Sequence, residues 1–306
     1  MSTRIKRFLI YSSALALLLA VLSVALPRLY TGQNMSNLLL RTIPLLSVSV
    51  GQMVVLLIGG IDLSVGAVLA LATAVASSLM VHGIGLACFA VVVLGGLVGL
   101  INGLGTTKAN INPFVMTLGT MSIANGVALY VRPRPGGYVP RAFVDSVLAY
   151  WGPVPIVPLL ILFWILAAGF LLLSKTTFGR RLYAIGGNEE AARLMGVNVD
   201  LHKILAYVIC GFFASLAGLY MTARIACGDP AVGGAFLLDS IGAVVIGGTS
   251  LTGGRGTLSG TLLGVLIFST LSNVLNLLNV NIYWQYVFRG LIVISVVAVS
   301  WARERG

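Results

Sequence analysis

Polar side chains that could bind a small solute occur inside the apolar runs of this sequence. Amide and hydroxyl groups cluster between positions 102 and 125, as Asn102, Asn112, Thr117, Ser122 and Asn125. Thr117 and Asn125 are eight residues apart, so a helix would place them on one face. Neutral groups of this kind can exchange hydrogen bonds with a neutral, hydroxyl-rich solute. They can equally join or cap neighbouring helices, and the sequence alone leaves both roles open.

Three ionisable residues also lie in or beside apolar runs, where charged groups are costly and often functional. We expect Asp62 to cap a helix and Asp239 to lie in interfacial water near the outer start of its run. Arg289, two turns inside the last run, is expected to extend towards the membrane interface. A proton-driven carrier would need such groups paired deep in the protein, so their predicted shallow positions argue against that mechanism.

Residue sets for catalysis, metal binding or nucleotide binding are missing from the sequence. Cys88, Cys210 and Cys227 lie in or beside apolar runs without metal-ligand spacing, and His82 and His202 are far apart. No G-x-x-x-x-G-K-[ST] motif for ATP phosphates is present. We therefore predict neither an enzyme nor a metal or cofactor site, and any ATP hydrolysis must occur on another polypeptide.

The composition indicates a membrane protein. Of the 306 residues, 58% are hydrophobic and 9% are charged, whereas roughly a quarter are charged in soluble domains. The net charge of +11 comes from basic residues at the ends of apolar runs, without the basic and aromatic patch of a nucleic-acid-binding surface. The lipid bilayer, and not nucleic acid, is therefore the predicted partner. The 37 glycines, several inside apolar runs, predict close helix packing.

Many of the apolar runs reach the ~20 residues that cross a bilayer. We predict an all-α polytopic membrane protein, with residues 1–306 as a single transmembrane domain. The first run is long for a signal peptide and is predicted to be a retained span. The ten predicted transmembrane helices cover residues 8–26, 38–58, 63–81, 85–105, 113–131, 154–173, 204–222, 236–252, 257–278 and 282–301.

One strongly polar stretch, residues 175–203, determines the predicted orientation. It holds five basic and three acidic side chains, which no bilayer core could accommodate. Because short basic loops stay in the cytoplasm, we predict that this stretch is cytoplasmic. Counting spans from it places both termini in the cytoplasm and residues 132–152 in a periplasmic loop.

The predicted periplasmic loop is an exception to the charge rule, because it carries Arg132, Arg134 and Arg141. Arginines there could bind carboxylates of a docking protein. Contact with lipid phosphates would satisfy them equally well, so both interpretations stay open.

A short helix is predicted inside residues 175–203. Asn188 is a good N-cap, Glu189 and Glu190 suit the first turn, and Arg193 follows Glu189 at the i,i+4 spacing. Gly196 suits the C-terminal stop. The resulting helix, over residues 189–195, is too short to be stable alone in water.

The apolar side of this predicted helix must therefore pack against something, either a groove on a partner or the protein's own membrane domain. Gly186 and Gly187, just before it, are expected to be a flexible lead-in. We predict Leu194 and Met195 as the main contacts. The whole contact segment consists of Gly187, Asn188, Glu189, Glu190, Ala191, Ala192, Arg193, Leu194, Met195 and Gly196.

A nine-residue pattern, IGGxxL[S/T]xG, occurs at residues 58–66 and again 188 positions later, at 246–254. Duplicated broken helices often flank the substrate route of a transporter. The glycine pairs should end one helix, after which Asp62 or Ser64 caps the next. So short a match can also arise by chance or from shared turn chemistry. The candidate pathway residues are Asp62, Ser64, Asn102, Asn112, Thr117, Asn125, Thr249 and Ser250.

Four stretches resemble signatures of one transport family, the permeases of ABC importers of the ribose, galactose and arabinose type. They are IGGIDLSVGAVLAL, GLVGLINGLGTTKANINPFVMTLGTMSIANG, GRRLYAIGGNEEAARLMGVNV and DSIGAVVIGGTSLTGGRGT. They follow the family's order and cover most of residues 45–265.

The resemblance implies a transmembrane subunit in a bacterial inner membrane that works as a dimer, with itself or with a paralogue. It implies ATPase subunits on the cytoplasmic side and a periplasmic sugar-binding protein on the other side, which delivers a monosaccharide. Residues 187–196 would then hold the coupling helix that docks in the ATPase, within a cytoplasmic coupling loop of residues 175–203.

Alternative functions remain at this stage. A permease for branched-chain amino acids or nucleosides would share a similar architecture, although the GGIDLSVG form favours the sugar group. A secondary carrier coupled to an ion gradient would import its substrate without any ATPase. A membrane enzyme is disfavoured, because no nucleophile–base pair or metal set is present.

Overall fold

The computed structural model describes residues 27–305, and the first predicted span, residues 8–26, lies outside them. Regular secondary structure in the described part of the chain is helical. After a 3₁₀ turn at Pro27–Tyr30, the helices are α1 Gly32–Leu57, α2 Val65–Leu79, α3 Ile84–Thr107, α4 Pro113–Val131, α5 Arg141–Val147, α6 Ile156–Phe170, α7 Thr177–Gly187, α8 Glu189–Leu194, α9 Val199–Ile225, α10 Gly234–Ile246, α11 Leu258–Leu277 and α12 Ile282–Arg305. A π-helical turn, Leu171–Lys175, extends α6.

Six helices in the described residues are long and apolar enough to cross a membrane: α1, α3, α4, α6 with its π turn, α9 and α11. Two predicted spans, 63–81 and 236–252, instead form the short helices α2 and α10, of 15 and 13 residues. At 1.5 Å per residue these measure about 22 and 20 Å, less than the ~30 Å hydrocarbon core. The all-helical membrane fold is therefore confirmed, and the count of ten helices stays a prediction.

Glycines bring α3 and α9 into backbone contact, as the glycine content predicts. A Cβ added at Gly99 would lie 2.7 Å from the carbonyl carbon of Tyr207, and one at Gly103 would lie 2.7 Å from Cα of Ile204. These distances leave no room for a larger side chain. Gly95 makes a similar approach to Gly211, whereas Gly96 faces open space because it lies on another side of the helix.

Between α9 and α10 the chain turns back into the bundle along α2. Ala226 ends α9 in the left-handed conformation, with φ of +52°. Gly228 then exchanges two backbone hydrogen bonds with Gly136, and Thr73 of α2 donates to the Asp229 carbonyl at 2.9 Å. Gly233 reaches the backbone of Gly66, so α10 begins beside the first turn of α2. Irregular backbone of this kind is tolerated at membrane depth only inside protein.

The polar residues 175–203 form two helices, α7 and α8, followed by the start of α9. The predicted flexible lead-in at Gly186 and Gly187 is wrong, because both glycines end α7. A Cβ on Gly186 would overlap the carbonyl oxygen of Leu57 and the amide nitrogen of Gly254. Gly186 is therefore required by tight packing and not by flexibility.

Candidate functional site

The loop of residues 58–64 connects α1 to α2 through a helix stop and a polar turn. Gly59 adopts φ of +73°, which a residue without a side chain reaches at little cost. The Gly59 amide donates to the Leu56 carbonyl at 2.9 Å, and the Gly60 amide donates to the Val55 carbonyl at 3.1 Å. These bonds satisfy the last carbonyl groups of α1 and end the helix.

Asp62 is the centre of a buried network in this loop. Its Oδ1 accepts hydrogen bonds from the backbone amide of Ser64 at 2.8 Å and from the Ser64 hydroxyl at 2.6 Å. Asn102 of α3 donates to the same hydroxyl at 2.9 Å, and Thr120 of α4 donates to Asn102 Oδ1 at 2.7 Å. The four side chains are buried and hold the loop against two helices.

This geometry corrects the expectation that Asp62 or Ser64 caps α2. Ser64 occupies the N-cap position, but its side chain makes no capping bond. Asp62 instead accepts from the amide two residues later, which is an Asx turn that precedes the helix.

The candidate pathway residues on and beside α4 differ in burial, because some contact the buried network and others lie nearer the surface. Thr117 is buried and donates to the Ile61 carbonyl at 3.3 Å. Asn112 is exposed and caps α4 by accepting from the Phe114 amide, and Asn125 is half-buried. Thr120 was absent from the predicted set, although it lies three residues after Thr117 and therefore shares its helix face.

The second copy of the pattern forms the same two features. Gly248, with φ of +85°, ends α10 by donating to the Val245 carbonyl at 2.9 Å. The Ser250 and Thr252 hydroxyls are 2.8 Å apart, and the Thr252 amide donates to the Ser250 hydroxyl at 3.2 Å. Ser250 is thus equivalent to Asp62 of the first loop, and Thr252 is equivalent to Ser64. The repeat is therefore structural as well as sequential.

The two copies differ by one residue in the spacing between the helix stop and the polar turn. The turns, Asp62 and Ser250, are 188 positions apart, whereas the left-handed glycines, Gly59 and Gly248, are 189 apart. The first loop therefore has one more residue between its helix stop and its turn, and the aligned glycine pairs do not have equivalent conformations.

The two loops contact each other through backbone atoms, and both lie against α7. The Gly254 amide donates to the Leu57 carbonyl at 2.9 Å, and a Cβ on Gly253 would lie 2.8 Å from the Gly59 nitrogen. Tyr183 of α7 donates its hydroxyl hydrogen to the Gly256 carbonyl at 3.1 Å. We call this contact between residues 57–60, residues 253–256 and α7 the glycine junction.

The short helix α8 follows the predicted capping pattern closely. Asn188 Oδ1 accepts from the Ala191 amide at 2.9 Å, and Gly196 ends the helix with φ of +80°. The Val197 amide donates a hydrogen bond to the Ala192 carbonyl at 3.1 Å. The helix covers Glu189–Leu194, one residue fewer than the predicted range 189–195.

An ionic network fixes α8 to the ends of α3 and α9. Arg193 donates to Asp200 at 2.6 Å and to Glu189 at 3.2 Å, Lys203 pairs with Glu189, and Lys108 pairs with Asp200 at 2.8 Å. Partial burial tends to raise the pKa of Glu189, but hydrogen bonds and charges from Lys203 and Arg193 outweigh it and hold the pKa below its ordinary value.

The side chains of α8 face two ways. Ala192 is fully buried in the core with Leu182, Ile185 and Val199. Leu194 is 89% exposed and Met195 is 73% exposed. One side of the helix therefore packs on the protein itself, while two large apolar side chains remain uncovered, and a contact with a partner stays a prediction.

The three arginines of residues 132–152 have different environments. Arg132 is half-buried and donates to the Ser78 hydroxyl at 2.9 Å. Arg134 is exposed, and Arg141, on the unpredicted helix α5, is exposed and lies 3.7 Å from Asp145. Of the three arginines, only Arg134 and Arg141 are exposed.

Asp239 and Arg289 are paired inside the protein and are not exposed to interfacial water as expected. Arg289 Nη1 lies 3.1 Å from Asp239 Oδ2, and the two side chains are 13% and 9% exposed. Arg289 Nη2 also donates to the Ser272 hydroxyl of α11 at 3.2 Å. The pair connects α10, α11 and α12 inside the protein. Sequence analysis did not predict this pairing, because the partners are 50 positions apart.

No cluster of three metal-ligating side chains occurs among the described residues.

Comparison with known proteins assigns these features to a transport family. The sequence pattern of the family described as "Branched-chain amino acid transport system / permease component" matches residues 34–297. The chain therefore belongs to this family of ABC importer permeases, which are transport subunits and not enzymes. No solved structure matches the chain significantly.

Curated relatives extend over nearly the whole chain. The ribose import permease protein RbsC of Haemophilus influenzae is 38% identical over 306 residues, which cover 96% of this chain and 94% of the relative. The RbsC protein of Bacillus subtilis is 40% identical and covers 94% of this chain and 90% of its own length. The D-allose transport system permease protein AlsC of Escherichia coli is 34% identical, with 94% of this chain covered.

Proposed function

We propose that this chain forms the membrane pathway of an ATP-driven importer for a monosaccharide of the ribose type. The observation that carries the proposal is the identity of 38–40% to ribose import permeases over at least 94% of the chain. In this arrangement residues 1–306 are one permease domain in a bacterial inner membrane. Residues 175–203 and both termini face the cytoplasm, and residues 132–152 face the periplasm.

The exposed end of α8 would be the contact with the ATPase subunit. Leu194 and Met195 are uncovered, whereas the buried Ala192 and the ionic network hold the helix in place. A preorganised helix with a free apolar end suits the helix-in-groove mode of recognition. Glu189 contributes mainly to the helix start and to the bonds with Lys203 and Arg193.

The glycine junction supports a connection between this contact and the pathway. α7 leads directly into α8 and touches both repeated loops. The loops in turn contain the candidate pathway residues Asp62, Ser64, Thr249 and Ser250, and the first loop is bonded to Asn102 and Thr117. We expect these residues to define the inner end of the pathway, and Asn112 and Asn125 to lie at its margins.

Two further partners belong to the proposal. Arg134 and Arg141 would pair with carboxylates of a periplasmic binding protein, while Arg132 holds the loop in shape. A second permease copy, identical or paralogous, would cover part of the exposed apolar surface and complete the pathway.

Reconstitution in lipid vesicles with the ATPase and the loaded binding protein tests the proposed function. We expect ATP-dependent uptake of ribose or a related monosaccharide, and no uptake without the ATPase. Uptake of leucine in place of sugars would favour the amino-acid transport that the family description names. Uptake driven by an ion gradient alone would refute an ATP-driven importer.

A further inference from the structure

The two buried carboxylates of the bundle differ in how completely their surroundings satisfy them. Oδ1 of Asp62 accepts from the Ser64 amide and hydroxyl. The Ser64 hydroxyl accepts from Asn102, which in turn accepts from Thr120. Asp239, in contrast, has one oxygen on Arg289, while its Oδ1 is buried without a partner. A closed network uses its hydrogen-bonding capacity within the fold, whereas an open one keeps hydrogen-bonding capacity for a ligand.

Unpartnered polar atoms occur on the Asp239–Arg289 pair itself and on α11, the helix that Arg289 contacts through Ser272. Nε of Arg289 is buried without a partner, and so are the Ser269 hydroxyl and the Asn273 side-chain nitrogen. Ser269 and Asn273 are less than 5% exposed and lie on α11 within one turn of Ser272, which accepts from Arg289. Buried polar groups without partners are rare in native proteins, and each calls for an explanation.

The position of these groups matches that of a substrate contact. Asp239 lies on α10, the short helix that begins inside the bundle beside α2 and ends in the second repeated loop. Transporters form their binding sites at such discontinuous helices, and ionisable residues within the membrane mark substrate routes.

We propose that Asp239, Arg289, Ser269 and Asn273 form a sugar-binding contact in the pathway. The free oxygen of Asp239 accepts from a sugar hydroxyl. Arg289 Nε and the Asn273 amide donate to neighbouring hydroxyl oxygens, and the Ser269 hydroxyl can do either. This mixture of one acceptor and several donors suits the adjacent hydroxyls of a neutral sugar. The inference rests on the proposed function, because it specifies how a monosaccharide is held on its route.

The full-length permease in lipid nanodiscs provides a direct test. Ribose that binds the folded state raises the unfolding temperature in a saturable way, and glycerol at equal concentration controls for general effects of polyols. Asp239→Asn should weaken the apparent ribose affinity roughly tenfold or more, because a bond to a charged group is lost. Ser295→Ala should leave it unchanged, since Ser295 is exposed on α12 and bonds only to the Leu291 carbonyl.

A charge-swapped variant separates ligand binding from a purely structural ion pair. Asp239→Arg combined with Arg289→Asp keeps the pair but reverses the positions of donor and acceptor, so stability should recover without ribose binding. If Asp239→Asn does not fold, Asn273→Ala and Ser269→Ala carry the test through neutral groups. They should also weaken the affinity.

Three results would overturn the inference. They are a saturable ribose effect that is equal in wild type and in the variants, recovery of that effect by the charge swap, and no effect beyond glycerol in a wild type whose complete importer takes up ribose. Failure of the complete importer to take up any monosaccharide would instead refute the proposed function. The two failures are therefore distinguishable.

Discussion

Replacing Leu194 and Met195 by alanine should separate ATP hydrolysis from transport without unfolding the permease. Both side chains are largely exposed, at 89% and 73%, so they contribute little to the free energy of folding. Surface substitutions of this kind usually change stability by less than about 0.5 kcal/mol. The unfolding temperature of the double variant should therefore match that of the wild type.

The cost at the ATPase contact should be much larger. Burial of a leucine or methionine side chain contributes about 1.5–3 kcal/mol, and nearly all of that area is free in the isolated permease. Truncation of both side chains should therefore weaken ATPase binding by roughly 3–5 kcal/mol, which corresponds to a factor of about 10² to 5 × 10³ in the dissociation constant.

The measurement is the affinity of purified ATPase for the permease in nanodiscs, together with sugar uptake per ATP hydrolysed in vesicles. Leu201→Ala is the matched control, because Leu201 is a half-exposed leucine in the first turn of α9, outside α8. Unchanged ATPase affinity and coupled uptake in the double variant would refute a coupling role for the exposed end of α8. An equal loss with Leu201→Ala would show that the contact is not specific to α8.

Three further predictions follow from single features. Gly186→Ala should destabilise the permease by about 1–3 kcal/mol, because the added methyl group would overlap Leu57 and Gly254. Gly187→Ala is the control and should not destabilise it, since a Cβ at Gly187 would meet nothing within 4 Å. Thermal unfolding of the two variants makes the comparison. Arg134→Glu with Arg141→Glu should abolish stimulation of ATP hydrolysis by the loaded binding protein, and full stimulation would contradict the docking role. Because the pKa of Glu189 is lowered in the folded protein, its ionic bonds should stabilise α8 above the ordinary glutamate pKa of about 4.3. This stability should fall as the pH drops through the lower folded value, which hydrogen exchange of the α8 amides would report.

Local patterns in the sequence predicted much of this protein. The cap, charges and stop of α8 lie within ten residues of one another, so capping rules alone predict the helix. The bounds of α4 are also predicted correctly, at residues 113–131, and Asn112-Pro113 is the local signal for its start. Patterns that repeat along the chain, such as the glycines of α3, likewise predict close packing.

Features that depend on distant partners could not be predicted in this way. Apolar length alone does not reveal that α2 and α10 are short, because the residues beside them remain apolar while the backbone leaves the helix. The position of Arg289 depends on Asp239 and Ser272, which lie on two other helices. The sequence around Gly186 indicates flexibility, because the contacts that require a glycine there, Leu57 and Gly254, are remote in sequence.

The glycine junction explains how a contact at α8 could reach the pathway. α8 follows α7 directly, and Asn188 ends one helix while it caps the next, so a displacement of α8 moves α7. Gly186 has no side chain between its backbone and those of Leu57 and Gly254, and the Gly254 amide is bonded to the Leu57 carbonyl. A close-packed contact of this kind transmits displacement instead of absorbing it. On the proposed function, a movement of α7 would therefore reach both repeated loops together.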